Sequence, residues 1–218
     1  IAAIDGLLTA QVNAILHHPR FQALEASWRG LAWLADGLEG RERLKLRVLP
    51  VGWSAIARDL DRAAEFDQTQ LFRKIYENEF GMPGGEPFGL IVADFYVQHR
   101  PIRSGTDDVA VLRGLAGVAA AAFCPIVLGA APGLFGLDSF RELHPTLDLD
   151  RLFGQREYTR WRAMQREEDT RFLGVLLPPV LLRRPHADMD RLDRFRFAEA
   201  AGAGDAGEWL WGNPGYAF

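Results

Sequence analysis

The sequence predicts an α/β protein: a layered domain with a largely parallel or mixed sheet flanked by helices, preceded by an N-terminal helical hairpin. Three observations carry that class. Between residues 43 and 177, short strand-like runs alternate with stretches of helical periodicity, the pattern of a sheet built with crossover helices. Two amphipathic stretches precede them with no strand between. Residues 72–94, FRKIYENEFGMPGGEPFGLIVAD, pass from helix through a glycine-rich turn to a buried strand, and the other elements are organised around this unit. The expected division is a helical segment over residues 1–40 and an α/β domain over 41–218.

The first helix is justified by Ile4, Leu7, Leu8, Val12, Ile15 and Leu16, which recur at helical spacing on one apolar face. Pro19 marks the break after it. In the second helix Phe21, Leu24, Trp28, Leu31, Leu34 and Leu38 form one stripe, and Glu25 and Arg29 stand four apart as a favourable surface pair. Two helices joined by a short break make a hairpin. Residues 43–49, RLKLRVL, alternate cation and aliphatic, which predicts a strand with one wet face, ended by Pro50. Helical spacing returns over 53–65 and 69–79 through Trp53, Ile56, Leu60, Leu71, Phe72 and Ile75. Pro83 and Pro87 lack the amide donor, and Gly81, Gly84 and Gly85 are entropically costly in a helix, so the helix stops there. Phe88 to Phe95 is apolar except for Asp94, which predicts a strand covered on both faces.

A polar loop through Pro101 and Gly105 follows. Asp107 and Asp108 are spaced to cap a helix over 109–123, whose Ala, Val, Leu and Gly residues suit close packing on a sheet. Pro125 to Ala130 predicts a second buried strand. Ser139 and Glu142 have the spacing of a capping box, and 148–153 offers one more turn. Residues 155–168, QREYTRWRAMQREE, predict one charged helix with Tyr158, Trp161, Arg162 and Met164 inward. Phe172 to Leu177 predicts a third strand, stopped by Pro178 and Pro179. Residues 183–207 read as a long polar connection, and the aromatic stretch EWLWGNPGYAF requires burial.

Composition narrows the function classes. A chain of 218 residues with 48% hydrophobic and 25% charged residues can bury a sizeable core and is not a disordered tail. A net charge of −4 argues against general nucleic-acid binding. The single cysteine, Cys124, excludes an internal disulfide and a cysteine-rich zinc site, and its apolar neighbours predict a small buried hydrophobe. No run reaches the ~18–20 apolar residues of a membrane span, and no secretory leader opens the sequence. A cytoplasmic, non-membrane protein is expected. Ile1 is not an initiator methionine, and a piece of a longer chain is expected.

The chemistry-bearing patterns do not assemble. A phosphate-binding loop needs a lysine and a hydroxyl after its last glycine, and neither follows Gly84 or Gly85. A dinucleotide fingerprint runs from strand to helix, whereas residues 81–87 run from helix to strand, so a shaped connection with Glu86 as its only charge is the favoured reading. Asp94 stands at the expected carboxyl end of a strand, where α/β enzymes keep catalytic groups, but a structural carboxylate is the commoner case. His17 and His18 are adjacent and diverge on a helix, and His99, His144 and His186 are isolated, so no metal site is expected. No G-x-S-x-G nucleophile elbow occurs. Glu167, Glu168 and Asp169 read as a solvated cluster beside Arg166 and Arg171.

Five stretches in order carry more than periodicity. These are ILHHPRFQALEASWRGLAWL (15–34), KIYENEFGMPGGEPFGLIVADF (74–95), LRGLAGVAAAAFCPIVLGAAPGLFGLDSF (112–140), YTRWRAMQREEDTRFLGVLLPPVLLRRP (158–185) and the closing EWLWGNPGYAF. Together they resemble the large subunit of the contractile sheath of bacterial type VI secretion systems, over nearly the whole chain. Family members are considerably longer, with residues before the first helix and a large region after the segment matching Trp211, Gly212 and Asn213.

The resemblance implies a contractile tail-sheath-like α/β fold and a structural role without catalysis or cofactor, in the bacterial cytoplasm. It implies pairing with a small sheath subunit, assembly with further sheath subunits in a helical lattice around an inner tube protein, and dismantling by a ring-shaped ATPase. Candidate interface residues are Phe21 and Trp28 on the second helix and Arg162 and Arg166 on the charged helix. For the aromatic stretch Phe21–Trp33, burial in the core is the default, with a surface receiving the small subunit as the other reading. An α/β enzyme using residues 81–87 and Asp94, and a non-polymerising sheath or baseplate adaptor, are the alternatives.

Overall fold

Ile126–Ala130, IVLGA, carries only apolar side chains and glycine, and all five residues are buried, so this strand must be covered on both faces and both edges. The computed structural model describes residues 2–40, 43–101, 105–186, 197, 199 and 209–217. The chain divides into two compact units, residues 47–178 and residues 1–46 with 179–218.

In the unit of residues 47–178, the strand Ile126–Ala130 (β2) lies between β1 (Ile91–Val97) and β3 (Leu173–Leu176), and all three are parallel. Ile126 is in register with Ile91 on one side and Leu173 on the other. Parallel neighbours cannot be joined by a tight turn, so long crossovers are required. They are supplied by α5 (Asp108–Ala121) between β1 and β2, and by α6 (Leu149–Phe153) and α7 (Thr159–Gln165) between β2 and β3. Val97, Val109, Leu112, Val118, Ile126 and Leu128 are essentially sealed from solvent and form the centre of the core. Cys124 is fully buried where α5 turns into β2, and burial pushes its thiol up to about 11.

Before β1 come α3 (Trp53–Arg62) and α4 (Gln70–Phe72). The α4 turn continues as a π-helical segment, Arg73–Phe80, that closes with Gly81 N–H donating to Tyr76 O at 2.8 Å. Phe72, Tyr76 and Phe80 stack along it, with ring centroids 4.8 and 5.2 Å apart. Its start is held twice: Thr69 accepts from Phe72 N at 3.0 Å, and the Asp59 carboxylate accepts from Gln70 N at 3.1 Å and Leu71 N at 2.9 Å.

Several expectations need correction. The strand expected over 88–95 runs instead from Ile91 to Val97, and its first five residues are half-buried, because β1 is an edge of the sheet. Residues 43–49 form no strand: 44–50 lack regular structure and every residue of 43–50 is exposed. The charged helix expected over 155–168 is broken into a 3₁₀ turn (Arg156–Tyr158), α7, and a second 3₁₀ turn (Glu168–Phe172). Threonine hydroxyls explain the breaks, since Thr159 Oγ1 donates to Arg156 O at 2.7 Å and Thr170 Oγ1 to Glu167 O at 2.6 Å, competing with helical bonding. Asp107 caps α5 as expected, but Asp108 faces inward to Trp53. Ser139 and Glu142 do pair with backbone amides, on a 3₁₀ turn and to Arg141 N and Asp138 N respectively.

In the unit of residues 1–46 and 179–218, the expected hairpin is present as α1 (Ala2–Leu16) and α2 (Pro19–Gly37). His18 caps α2 by accepting from Arg20 N at 3.2 Å, and Pro19 opens it, where its missing amide costs nothing. Two short strands not expected from the sequence, β4 (Val180–Arg183) and β5 (Leu210–Gly212), pair antiparallel with Leu181 opposite Trp211. The closing aromatic stretch is buried in part: Leu210, Asn213 and Tyr216 are covered, while Trp209 and Trp211 stay exposed and stacked at 6.4 Å. The Tyr216 ring lies so close to Gly30 of α2 that any side chain there would overlap it. Residues 187–196, 198 and 200–207 of the expected long connection, and Glu208 and Phe218 of the closing stretch, lie outside the described residues.

Candidate functional site

The glycine corner is tied shut by its own side chains. Arg47 pairs with Glu79 and, at 2.9 Å, with Glu86, while its guanidinium lies 5.7 Å over the Phe88 ring. Glu79 also accepts from Glu86 N at 3.1 Å, and Gly85 N–H donates to Met82 O at 3.0 Å. Gly84 takes a left-handed φ of 84°, and Gly85 passes so near the Glu79 carbonyl that a Cβ would collide with it. The carboxylates of Glu79 and Glu86 face the turn, the wrong charge for a phosphate cradle. The corner is a shaped connection.

Asp94 is not at the carboxyl end of its strand. It sits mid-strand where pairing with β2 shifts register between Val92 and Tyr96, half-buried. Burial and then the Asp94 charge push the Tyr96 hydroxyl up to about 12. At the true carboxyl end of β1, where α/β proteins place ligands, the space is occupied by packing. Asp108 accepts from Trp53 Nε1 at 2.7 Å and Gln98 N at 3.0 Å; burial raises its pKa, the two donors oppose that, and Asp107 adds to it. His99 is buried and stacked on Tyr158 at 4.0 Å, and neither ring nitrogen has a hydrogen-bond partner among the described residues. Burial and the Arg100 charge lower its pKa, against the opposing pull of Glu157. The Tyr158 hydroxyl donates to Leu134 O at 2.9 Å.

A shallow cleft of about 310 Å³ is lined by Glu142, His144, Asp148, Arg151 and neighbours. Its groups serve the local backbone: Asp148 accepts from Arg151 N at 3.0 Å, and His144 Nδ1 meets Thr146 Oγ1 at 2.8 Å. Among the described residues no cluster of three or more His, Cys, Asp or Glu is arranged for a metal, and no helix is long and apolar enough to cross a membrane.

The four candidate interface residues occupy different settings. Trp28 is 64% exposed, so the default expectation of core burial fails for it; Leu24 and Trp33 are exposed beside it, and Phe21 is half-buried. The reason is geometric. The stripe of α2 that turns inward runs through Gly30, the landing site of Tyr216, and through Glu25, leaving the indoles outside. α1 adds to this apolar exposure with Ile4, Leu7, Leu8 and Ile15. Arg162 is a backbone clamp: it donates to Phe153 O, to Gln155 O at 2.7 Å and to Thr159 Oγ1 at 3.4 Å. Arg166 ends α7 and is exposed.

Sequence reasoning missed the most concentrated polar cluster. Arg183, nearly buried, donates to Glu25 Oε1 at 2.8 Å and to Glu199 Oε2 at 2.6 Å. Glu199 also meets His17 Nε2 at 2.9 Å and accepts from His186 N at 2.9 Å. Burial would raise the Glu199 pKa, but the bonds from Arg183, His186 and His17 outweigh it and leave the carboxyl below its usual range. The only local signal was the Glu25–Arg29 pair, present at 2.7 Å; nothing in the sequence links Glu25 to an arginine 158 positions away.

Among the described residues no catalytic centre is assembled, and the α1–α2 hairpin exposes apolar side chains, Trp28 and Trp33 among them. The chain is 39% identical over 221 residues to the type VI secretion system sheath protein TssC1 of Pseudomonas aeruginosa, an alignment covering 100% of this chain and 43% of that protein. The chain thus spans less than half the length of that relative. Residues 1–218 match the family described as VipB: EvpB/VC_A0108, tail sheath N-terminal domain, and the chain belongs to that tail sheath family.

Proposed function

We propose that this chain is part of the large subunit of a type VI secretion contractile sheath and works in the bacterial cytoplasm without catalysing a reaction. In this reading it pairs with a small sheath subunit, and the pairs stack into a helical lattice around an inner tube. Contraction of the lattice ejects the tube, and a ring-shaped ATPase later dismantles the contracted form. The observation that carries the reading is the family match over all 218 residues, with 39% identity to a sheath protein across the whole chain. The physical setting supports it. A sheath works by exchanging contacts between rigid bodies, which calls for packed cores and sticky surfaces. The exposed indoles of Trp28 and Trp33 with Ile4 and Leu7 supply apolar area of the sort that protein partners cover, and are the surface we assign to the small subunit.

Co-expression with a small sheath subunit, followed by size-exclusion chromatography and electron microscopy, tests the reading. A stable heterocomplex or tubes are expected. Two proteins that migrate separately under conditions where each is folded would overturn it.

A further inference from the structure

Just beyond the carboxyl end of β1, His99 is sealed in with both ring nitrogens unpartnered among the described residues. Its ring lies on that of Tyr158, with the planes 27° apart. One carboxylate stands barely out of reach: Glu157 Oε1 is 4.0 Å from His99 Nε2, too far for a hydrogen bond. The other oxygen of that carboxylate, Oε2, holds Arg100, the residue next to His99. Glu157 thus stands between a cation it already holds and a ring that becomes a cation when protonated. The remaining ionisable groups of this corner are engaged elsewhere. Both oxygens of Asp108 are taken, by Trp53 Nε1 and Gln98 N. Asp107 of the α5 cap pairs with Arg160 of α7. The Tyr158 hydroxyl donates to Leu134 O, and the turn Pro132–Phe135 that carries this carbonyl has no ionisable side chain.

We infer that proton uptake by His99 moves Glu157 from Arg100 to the imidazolium, so that the corner between β1 and α5 exchanges one ion pair for another in acid. The direction follows from burial. Arg100 keeps 65% of its side chain in solvent, where an ion pair is worth little and water replaces a lost partner. The His99 side chain is 1% exposed, so its cation has no water to turn to, and a buried charge without a partner is strongly unfavourable. The one carboxylate goes where its absence would be felt more. Closing the gap by about 1 Å reaches the ~2.7–2.9 Å of a charge-assisted bond, a movement of side-chain scale. Burial and the Arg100 charge hold the His99 pKa below the ordinary value of about 6.5, which places the exchange in mildly acidic solution. Below that midpoint Arg100 is released, and the surface gains a guanidinium that was tied at neutral pH.

Nuclear magnetic resonance on the chain, from neutral to mildly acidic pH, reads both halves of the exchange. Imidazole nitrogen shifts follow the His99 proton, and the heteronuclear NOE at Arg100 Nε reports how firmly the guanidinium is held. Arg100 is expected to be ordered above the His99 midpoint and mobile below it, the two transitions coinciding. His99→Phe keeps a ring on Tyr158 and cannot take the proton, so Arg100 should stay ordered throughout. Glu157→Gln removes the charge that receives the imidazolium, so the His99 midpoint should fall by about one pH unit. An Arg100 that stays ordered while His99 protonates would overturn the inference. So would equal loosening in His99→Phe, which would trace the effect to protonation of Glu157 itself. A His99 that stays neutral until the chain unfolds, or a midpoint unmoved by Glu157→Gln, would overturn it as well. Should His99→Phe fail to fold, the coincidence in the parent and the shift in Glu157→Gln still decide. The sheath reading stands apart from all of these outcomes.

Discussion

Thr69, His99 and Gly30 each hold something that a neighbouring residue type would lose. Thr69 is 1% exposed, and its hydroxyl both donates to Phe66 O at 2.7 Å and accepts from Phe72 N at 3.0 Å. Thr69→Val keeps the shape and strands both partners, so a loss of about 1–3 kcal/mol is expected in denaturant unfolding, most of it restored in Thr69→Ser. His99 is stored neutral. Its folded pKa lies below the ordinary value of about 6.5, so the unfolded chain binds the extra proton more readily. The contribution of the neutral ring is therefore complete above the unfolded value and is lost as pH falls through and below it. Urea midpoints measured at mildly alkaline and mildly acidic pH should drop on acidification in the parent and drop less in His99→Phe. Gly30 is required by approach, not by conformation. Gly30→Ala drives a methyl into the Tyr216 ring and is expected to cost about 1–3 kcal/mol, with Tyr216→Leu relieving part of it in the double variant.

Among elements, the Arg183 cluster joins the ends of the sequence within one unit: Glu25 from α2, Arg183 from β4, and Glu199 beyond. Arg183→Met leaves the buried Glu199 carboxylate without its guanidinium, and a loss of about 3–5 kcal/mol is expected, with much of it recovered when Glu199 is made apolar too. Because the Glu199 pKa is lowered, the stability that this carboxylate confers is present above its unfolded value and disappears as pH falls through the folded one. Such a cluster is illegible in sequence because its members meet only through the fold. By contrast β2, β3 and α5 were readable to within a residue or two: short apolar runs beside Pro125 and Pro178 placed the buried strand β2 and the half-buried strand β3, and an aspartate cap before small and aliphatic residues placed α5. The charged helix after residue 155 was misread for a local reason. Periodicity sees Tyr158, Trp161 and Met164, all buried, but not the Thr159 and Thr170 hydroxyls that break the ladder around them. The candidate interface was half legible. Aromatic spacing located α2, but only the structure distinguishes the face of Gly30 from that of Trp28, and only the structure shows Arg162 spent on backbone carbonyls.

For the whole molecule, the sheath reading makes surface and core substitutions behave oppositely. Trp28→Glu puts a charge on an indole position already in water, so the isolated chain should keep its stability to within about 0.5 kcal/mol. Its co-purification with the small sheath subunit should nevertheless collapse; undiminished recovery would remove α2 from the interface. Arg166→Glu is the matching test at the end of α7, because this exposed side chain can be reversed without disturbing a clamp. Arg162→Glu cannot serve that purpose, since it would release Gln155 and Thr159 and damage the unit itself.

Cys124 turns these experiments into a measuring tool. The one thiol of these 218 residues is sealed at the α5–β2 junction, and burial pushes its pKa up to about 11, which keeps it overwhelmingly protonated near neutrality, so maleimide reagents should pass it by in the native state. A fluorophore or spin label could then be installed at one introduced cysteine, for instance Trp33→Cys, without stripping the background first. If the proposed sheath role holds, paired labels would report distances across the lattice as it shortens.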